Sequence, residues 1–450
     1  MENIKLFCVS LGCDKNLVDT EKMLGVLGSR GLTFTDDETE ADVILVNTCC
    51  FIGDAKEESV NTILDMARYK EEGRCRALIV AGCLAQRYKQ EILDEIGEVD
   101  AIIGTTSYEE ISRVLDEALG GGKGNHISCF KDLNQLPMGH IKRVVTTGGH
   151  YAFLKIAEGC DKRCTYCIIP SLRGPYRSVP MERLIEEAGE LAEAGVKELI
   201  LVAQETTLYG TDLYGVKSLP KLLRELARIP GIQWIRIQYC YPEEITDQLI
   251  ETIRTEDKVC NYLDIPIQHA SDKILKRMGR RTHKEELKER IRKLREEIPD
   301  IALRTTLISG FPGETESDHE ELMDFVNEME FERLGVFAYS AEEDTPAFSY
   351  PNQVPQELKE ERRDEIMELQ QDIAFEHCEM VGRILTVLIE GKVVDEPAYV
   401  GRTYMDAPNV DGLIFVNGDV ELMSGDFVKV KVTGAAEYDL IGEVYDESAQ

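Results

Sequence analysis

Along the first 119 residues, short continuous runs of apolar residues alternate with segments in which apolar residues recur three or four positions apart. The short runs are rich in β-branched residues and predict strands, whereas the spaced segments end near glycine and predict helices. The predicted strands are KLFCVSLG, DVILVNTC, RALIVAGC and DAIIG, and the predicted helices are NLVDTEKMLGVLGSRG, AKEESVNTILDMARYKEEG and AQRYKQEILDEIG. This alternation indicates a domain over 1–119 built on a doubly wound parallel sheet with helices on both faces.

The same alternation resumes after residues 120–150, which begin GGGKGNH and end TTGGH and are predicted to form a linker. A second domain is expected over 151–379. Its predicted strands are YAFLKIA, ELILVAQ, WIRIQY, YLDIPI, ALRTTLISG and RLGVFAY, each followed by a helix-like segment. About six β/α units are fewer than the eight of a closed TIM barrel, so we expect an open, partial TIM-type (βα)6 barrel.

The pattern changes again near residue 380. A charged helix candidate, PQELKEERRDEIMELQQDIAFEHCEM, is followed by short β-runs separated by turns. These runs are GRILTVLIEGKV, AYVGRTY, GLIFVNG, GDFVKVKVTG and DLIGEVY. Their spacing predicts a small antiparallel β-barrel of the OB type over 380–450.

Composition places these domains in a soluble, multidomain chain. With 450 residues, 43% hydrophobic and 30% charged, the chain is too long for one ordinary core and too apolar to be disordered. The start, MENIKLFCVSLGCDKN, lacks the pattern of a signal peptide, and no apolar run is long enough to span a membrane, so we expect a cytoplasmic protein. In a reducing compartment, 13 cysteines favour metal binding or catalysis over disulfides.

The charge balance narrows the class of partner. The chain has 51 basic and 84 acidic side chains, for a net charge of −33. Such a chain is a poor general binder of nucleic acid and a good candidate for a basic partner.

Three cysteines lie within CDKRCTYC directly after the first predicted strand of the second domain. Cys160, Cys164 and Cys167 could hold three irons of a 4Fe–4S cubane and leave the fourth iron open. A zinc site would need a fourth ligand, and no histidine lies between 151 and 268. Zinc binding and buried structural cysteines are therefore the weaker alternatives. The spacing and its place after a barrel strand resemble the radical SAM superfamily.

That resemblance implies a cofactor for the open iron. In the superfamily, the amino and carboxylate groups of S-adenosylmethionine (SAM) chelate it, and reduction of the cluster cleaves SAM to a 5′-deoxyadenosyl radical. Gln204 and Glu205, after the second strand, are the candidates for contact with the SAM amino group, although the family more often has Asp at the second position. The alternative for either residue is a solvated strand end.

Other SAM contacts are expected near the fifth strand. In LISGFPGET, Gly310 and Gly313 would let a ligand approach the backbone closely, and a tight turn needed for packing is the alternative. Arg304 could pair with the SAM carboxylate, because a guanidinium binds a carboxylate in bidentate fashion. His269, in PIQHAS, is better explained as a hydrogen-bonded histidine at a strand end.

A second group of cysteines follows the strands of the first domain. Cys13, Cys49 and Cys83 each lie where a predicted strand ends, and the carboxyl ends of parallel strands share one edge of a sheet. Small core hydrophobes placed there by coincidence are the alternative. Because adjacent residues at a strand end point to opposite sides, only one of Cys49 and Cys50 should be a ligand, and the motif VNTC favours Cys49.

Two cysteine triads and a small C-terminal barrel resemble the methylthiotransferases over the whole chain. The motifs in family order are LGCDKN, VNTC, CDKRCTYC, QHASDKILKRMGR, GFPGET and YSAEEDTPA, the last with Asp344 where glycine is common. The resemblance implies an N-terminal cluster domain, a radical SAM domain and a C-terminal TRAM domain. It also implies two 4Fe–4S clusters, with SAM as both methyl donor and radical source, and an electron donor such as flavodoxin or ferredoxin.

Members of this family modify either an adenosine of tRNA next to the anticodon or an aspartate, at its β-carbon, in ribosomal protein S-twelve. Residues 380–450 have five basic side chains against thirteen acidic ones, a net charge of −8, which should repel tRNA and suit a basic ribosomal protein. The stretch IQYCYPEE also resembles the protein-modifying branch. We therefore expect a protein substrate. A tRNA methylthiotransferase and a non-enzymatic iron–sulfur carrier are the alternatives.

Overall fold

The computed structural model describes residues 4–121, 126–137, 139, 141–394, 396–418 and 420–445. Parts of the predicted linker, residues 122–125, 138 and 140, lie outside these residues. Within them the chain forms two compact units. The first comprises Met1–Thr146, Ala157–Val179 and Ser340–Phe348, and the second comprises Thr147–Ile156, Pro180–Tyr339 and Ser349–Gln450. The domain boundaries at 119, 150 and 379 remain a prediction, because the units are defined by contacts and not by continuity of the chain.

The N-terminal region alternates strands and helices as predicted. Its strands are β1 (Lys5–Ser10), β2 (Thr33–Phe34), β3 (Val43–Thr48), β4 (Ala77–Gly82), β5 (Ala101–Ile103) and β6 (Ile127–Cys129), and its helices are α1 (Asp14–Ser29), α2 (Gly53–Ala67), α3 (Cys83–Tyr88), α4 (Gln90–Glu95) and α5 (Ile111–Gly120). Two short edge strands, β2 and β6, were not predicted. The helix predicted from AQRYKQEILDEIG is divided at Lys89, whose positive φ of 42° interrupts the helical backbone.

All neighbouring strands of this sheet run parallel, in the order β2-β1-β3-β4-β5-β6. This order confirms the predicted doubly wound sheet. Apolar side chains fill both of its faces, in one cluster that includes Leu45 and Ile79 and another that includes Ile44 and Val80. The strands β1, β3 and β4 end in the same row. Their residues Ser10, Asn47 and Ala81 lie opposite one another in register.

The central region begins at Tyr151. Its strands are β7 (Tyr151–Lys155), β8 (Ala157–Glu158), β9 (Arg177–Ser178), β10 (Glu198–Val202), β11 (Trp234–Ile237), β12 (Val259–Asp264), β13 (Ala302–Ser309) and β14 (Arg333–Ala338). Its helices are α6 (Ile169–Arg173), α7 (Met181–Glu193), α8 (Thr211–Tyr214), α9 (Leu219–Ala227), α10 (Asp247–Thr255), α11 (Asp272–Arg277), α12 (Lys284–Glu297), α13 (Glu316–Met329) and α14 (Gln356–His377). Short 3-10 turns occur along the chain at Glu38–Glu40, Arg68–Lys70, Tyr108–Glu110, Pro242–Glu244 and Pro346–Ser349.

Within the second unit, the described residues form a parallel sheet in the order β14-β13-β12-β11-β10-β7. Six strands in an open sheet confirm the predicted partial barrel. The antiparallel pair β8 and β9, with α6 between them in the chain, belongs instead to the first unit. No helix in the described ranges combines the length and apolar character needed to cross a membrane.

The C-terminal strands are β15 (Ile384–Lys392), β16 (Ala398–Arg402), β17 (Ile414–Asn417), β18 (Phe427–Ala436) and β19 (Asp439–Val444). They form a closed barrel in the order β15-β16-β17-β19-β18, which confirms the predicted fold. The pairing is antiparallel except between β17 and β19, which run parallel. The barrel and the central sheet share a core, in which Trp234 packs edge to face against Phe427 with ring centroids 4.8 Å apart.

Candidate cysteine centres and SAM contacts

The loops that carry Cys13, Cys49 and Cys83 come together at the carboxyl edge of the N-terminal sheet. Gly12 has a positive φ of 87°, and a Cβ there would lie 2.8 Å from the Cys49 sulfur. Gly82 has a φ of 92°, and a Cβ there would lie 2.6 Å from the carbonyl oxygen of Thr48. Glycine is therefore required beside two of the three cysteines, because the chain segments approach too closely for a side chain.

The thiols of this triad also influence one another. Burial, together with the neighbouring Cys83 and Cys13, raises the pKa of Cys49 to about 12. Burial raises the pKa of Cys83 as well. Because metal ligation requires the thiolate, a bound metal centre would have to displace protons from these thiols. The structure thus places the three predicted ligands within electrostatic reach of one another.

Asn16 connects the three loops. Its Nδ2 donates to the carbonyl oxygens of Leu11, at 2.9 Å, and Thr48, at 2.8 Å. The Cys83 sulfur lies 3.8 Å from Asn16 Oδ1, and Asn47 Nδ2 donates to the Asn16 carbonyl at 2.9 Å. Asn16, the last residue of LGCDKN, is not among the site residues predicted from the sequence. The available signal was a polar amide in the first turn of a predicted helix. In the structure this side chain is fully buried.

Arg173 is the second polar residue that sequence reasoning missed. It ends α6, and its side chain is 2% exposed. One guanidinium nitrogen, Nη2, donates to Asn16 Oδ1 and lies 3.5 Å from the Cys83 sulfur. The other, Nη1, lies 2.7 Å from Asp19 Oδ2 and 3.3 Å from Glu158 Oε2. Burial opposes the charge, but Cys83, Glu158 and Asp19 outweigh it and hold the pKa of Arg173 well above its ordinary value.

Cys50 has a different environment from Cys49. It is fully buried in the apolar cluster that contains Ile63 and Leu84, and burial raises its pKa well above the ordinary value. The Cys49 backbone is held by Ser59, whose hydroxyl accepts from the Cys49 amide at 3.0 Å and donates to its carbonyl at 2.7 Å. These contacts agree with a packing role for Cys50, and the choice of Cys49 as ligand stays a prediction.

The second triad lies on one loop of the same compact unit. Cys160 and Cys164 are buried and Cys167 is half-buried. The Cys167 amide donates to the Cys164 carbonyl at 3.1 Å, which closes a tight turn. Burial raises the pKa of Cys167 above its ordinary value, with further contributions from Cys164 and Cys160. The loop is tied to the 340–348 segment, where the Ala347 amide donates to the Thr165 carbonyl at 2.9 Å.

Both triads supply three thiols, which are the usual ligands of iron–sulfur clusters. In the ranges that the structure describes, no three His, Cys, Asp or Glu side chains are arranged around a position for a single metal ion. A cubane attaches each cysteine to a different iron and so separates its ligands more widely than one ion does. The residues therefore fit a cluster in the chemistry of their donor atoms.

The predicted SAM contacts of the second unit have protein neighbours. Glu205 is buried just after β10 and accepts from the Thr207 amide at 2.9 Å, while Gln204 is half-buried. Gly310 and Gly313 both have positive φ. A Cβ on Gly310 would lie 2.2 Å from the Lys359 side chain, and one on Gly313 would lie 3.0 Å from Arg277. Packing accounts for these glycines without a ligand, and their contact with SAM stays a prediction.

Arg304 and His269 also have partners within the protein. Arg304 lies 3.2 Å from Asp264 and 3.2 Å from Asp411, a residue of the C-terminal region. These two carboxylates compete with the predicted SAM carboxylate for the same guanidinium. His269 is fully buried, its Nε2 is 3.4 Å from Glu314 Oε2, and its Nδ1 accepts from the Ser271 amide at 3.0 Å. The Nδ1 contact is what the hydrogen-bonded alternative expects, whereas the buried Nε2 has only the longer approach to Glu314.

Part of the acidic charge of the C-terminal region is buried among the described residues. Asp406 and Asp411 are buried against Arg333 and Arg304, and Glu390 is half-buried against Arg402. Among the described residues, the exposed acidic side chains are Glu396, Glu421, Glu437 and Glu443, and the exposed basic ones are Arg383, Lys392, Lys429 and Lys431. Burial and ion pairing therefore remove part of the acidic charge from the surface of the described residues. The expectation of an acidic face stays a prediction, because Asp395, Asp419, Asp446 and Glu447 lie outside those residues.

Comparison with known proteins places these features in a family. The chain matches the models described as Radical SAM superfamily over residues 154–326, Uncharacterized protein family UPF0004 over 5–104 and TRAM domain over 381–444. It is 66% identical over 440 residues to ribosomal protein uS12 methylthiotransferase RimO of Lachnoclostridium phytofermentans, covering 98% of this chain and 99% of the relative. The protein of the same name from Acetivibrio thermocellus is 52% identical over 451 residues, covering 99% of each chain.

The chain belongs to the RimO methylthiotransferase family. This membership confirms the resemblance inferred from the motifs and identifies the chain as a radical SAM enzyme, a superfamily that uses a 4Fe–4S cluster and SAM. Among solved structures, the radical SAM methyltransferase TsrM from Kitasatospora setae, with cobalamin and a [4Fe-4S] cluster bound, has a TM-score of 0.56 at 12% identity. That match covers 86% of this chain and 77% of TsrM, and it shows likeness of fold.

Proposed function

We propose that this enzyme adds a methylthio group to the β-carbon of an aspartate in ribosomal protein uS12 (ribosomal protein S-twelve). The observation that carries the proposal is the 66% identity, over nearly the whole of both chains, to a relative named for that activity. The two cysteine triads within the first compact unit support it, because sulfur insertion by this family needs more than the radical cluster.

Cys13, Cys49 and Cys83 would hold one 4Fe–4S cluster, and Cys160, Cys164 and Cys167 would hold the other. When bound, the clusters and SAM would supply the methyl group, the sulfur and the one-electron route to a carbon radical. Three thiols at each site leave one coordination position for a ligand that is not a protein side chain.

The side chains around these sites would bind and orient rather than react. Two cysteines of each triad are buried, and the third, Cys13 or Cys167, is half-buried. The hydrogen bonds of Asn16 fix the loops from which the N-terminal thiols extend. In the second unit, we assign Gln204 and Glu205 to the SAM amino group because they follow β10 at its carboxyl end. Gly310, Gly313 and Arg304 are assigned to the rest of SAM, with the packing contacts and carboxylates described above as the alternative.

The substrate is proposed from the family and not from surface charge. The exposed charges of the C-terminal barrel are balanced among the described residues, so they favour neither a basic protein nor tRNA. The stretch IQYCYPEE and the names of the relatives favour a protein, the uS12 protein or the small ribosomal subunit that contains it. From a ribosomal substrate we propose that the enzyme acts in the cytoplasm and receives electrons from a donor such as flavodoxin or ferredoxin.

The decisive experiment offers the reconstituted enzyme two substrates, uS12 and a tRNA that carries the modified adenosine next to its anticodon. Each reaction receives SAM and a reductant, and products are analysed by mass spectrometry. We expect a methylthio group on one aspartate of uS12 and none on tRNA. A variant with Cys160, Cys164 and Cys167 all changed to Ala is the control and should form neither product. Modification of tRNA alone would replace the proposed substrate, and no SAM cleavage by the reduced enzyme would favour an iron–sulfur carrier.

A further inference from the structure

Arg173 lies at the N-terminal cysteine triad although it comes from the chain segment that carries the other triad. It follows Cys167 by six residues and ends α6. We propose that Arg173 is a positioning residue of the N-terminal cluster, which holds the Cys83 sulfur and makes the cluster easier to reduce. This inference rests on the proposed function, because it requires a cluster on Cys13, Cys49 and Cys83.

The guanidinium is fixed from two sides. Its Nη2 donates to Asn16 Oδ1 and approaches the Cys83 sulfur at 3.5 Å, while its Nη1 binds Asp19 and Glu158. Because both Nη1 and Nη2 have partners, the planar guanidinium cannot turn away from the sulfur without losing a buried ion pair. Lysine could keep the charge but could not make both sets of contacts from one rigid group.

Asn16 extends this support to the other two loops. The same amide that accepts from Arg173 donates to the carbonyls of Leu11 and Thr48, which precede Cys13 and Cys49. Loss of Arg173 would therefore free one sulfur directly and loosen the other loops through Asn16. Partners of metal ligands that act in this way commonly affect metal affinity by about 10–100-fold when they are removed.

The charge should act on the reduction of the cluster. The potential of an iron–sulfur cluster depends on net charge and on hydrogen bonds to its sulfurs. An added electron makes the cluster more negative, so a buried cation beside Cys83 favours the reduced form. Asp19 and Glu158 oppose this effect, and without Arg173 they would remain as buried carboxylates near the cluster. Removing Arg173 should therefore lower the potential, and removing the charge of Asp19 should raise it.

The test uses the full chain with Cys160, Cys164 and Cys167 changed to Ala, so that iron signals come from the N-terminal cluster. Into this parent we would introduce Arg173→Gln, Arg173→Lys or Asp19→Asn. The matched control is Arg87→Gln, because Arg87 lies on the helix that begins at Cys83 and forms a buried ion pair with Glu342 at 2.8 Å. Two quantities are measured: the reduction potential, by dithionite titration followed by electron paramagnetic resonance, and the rate at which a chelator removes iron.

We expect Arg173→Gln to lower the potential and to speed iron loss about tenfold or more, with a smaller change in Arg173→Lys and none of comparable size in Arg87→Gln. Asp19→Asn should raise the potential, which tests the proposal even if Arg173→Gln fails to fold. Equal potentials in Arg173→Gln and Arg87→Gln, or a downward shift in Asp19→Asn, would overturn this inference and leave the proposed function unaffected. A parent that binds no iron would instead overturn the two-cluster proposal, and the inference with it.

Discussion

Glu198 and Arg402 form a fully buried ion pair that joins the central sheet to the C-terminal barrel, with Glu198 Oε2 2.6 Å from Arg402 Nη2. Glu198 is the first residue of β10 and Arg402 is the last residue of β16. The other carboxylate oxygen of Glu198 accepts from Arg236 Nε at 2.8 Å. One buried carboxylate thus serves two buried guanidiniums, and the attachment of the barrel depends on its charge.

Replacement of Glu198 by Gln should destabilise the second unit by about 3–5 kcal/mol, because the buried Arg236 loses its carboxylate partner and Arg402 keeps only the half-buried Glu390. Trp234, the single tryptophan of the chain, reports on this region because it packs against Phe427 of the barrel. Urea unfolding followed by its fluorescence measures the change.

The control for that measurement is Glu225→Gln, which removes the half-buried carboxylate that pairs with the exposed Arg228. It should change the free energy of unfolding by less than about 1 kcal/mol. Equal effects of the two substitutions would show that the Glu198 ion pairs contribute little to the attachment of the barrel.

The same carboxylate should make the second unit sensitive to acid. Burial raises the pKa of Glu198, but Arg402 and Arg236 outweigh burial and hold it below its ordinary value. A lowered pKa contributes stability that is present above the unfolded value of about 4.3 and is lost as the pH falls toward the folded value. Trp234 fluorescence during acid titration should show this loss, and Glu198→Gln should weaken the pH dependence. An identical acid transition in both proteins would assign the sensitivity to other carboxylates.

The sequence was sufficient to predict the three folds, because a continuous apolar run predicts a buried strand and helical spacing predicts the buried face of a helix. The paired polar residues could not be predicted in this way. Asn16, Arg173 and Glu198 acquire partners from distant parts of the chain, and no local pattern identifies those partners. Arg304 shows the same limit, since its carboxylates, Asp264 and Asp411, are 40 and 107 residues away.

The presence of two clusters can be tested by iron analysis. Changing Cys160, Cys164 and Cys167 together to Ala should halve the iron and sulfide bound per chain, because the N-terminal triad keeps its own ligands. The matched variant changes Cys13, Cys49 and Cys83 and should also retain half. Complete loss of iron from either variant, or no loss, would contradict two independent sites.

Cys49 and Cys50 should differ as ligands although they are adjacent. Cys49→Ala should remove the N-terminal cluster and methylthiolation and leave SAM cleavage measurable, since the other triad is intact. Cys50→Ala should keep both clusters and cost stability through a small cavity in the apolar cluster around Ile63. Iron content, SAM cleavage and product formation are measured for both variants. Equal iron loss would mean that alternation along the strand end does not select the ligand.

The part that exposed charge on the barrel has in the recruitment of uS12 can be tested by charge reversal. Asp419, one of the acidic residues in the expectation of an acidic face, lies outside the described residues, and Asp426 is half-buried, with its carboxylate accepting from the Met423 amide at 2.9 Å. Reversal of three exposed glutamates of the barrel to lysine therefore tests surface charge without breaking such contacts. The variant contains Glu421→Lys, Glu437→Lys and Glu443→Lys.

The control reverses three exposed glutamates of the first unit, Glu57, Glu58 and Glu71, and so changes the net charge equally. Association with uS12 is measured at several salt concentrations, because exposed charges act mainly on encounter and are screened beyond about 8 Å at 0.15 M salt. If the barrel faces uS12, its variant should associate more slowly than the control at low salt, and the two rates should converge as salt is added. SAM cleavage without substrate should be unchanged in both. Equal slowing would assign the effect to the total charge of the chain, and no slowing in either would leave recognition to shape and to contacts that are not ionic.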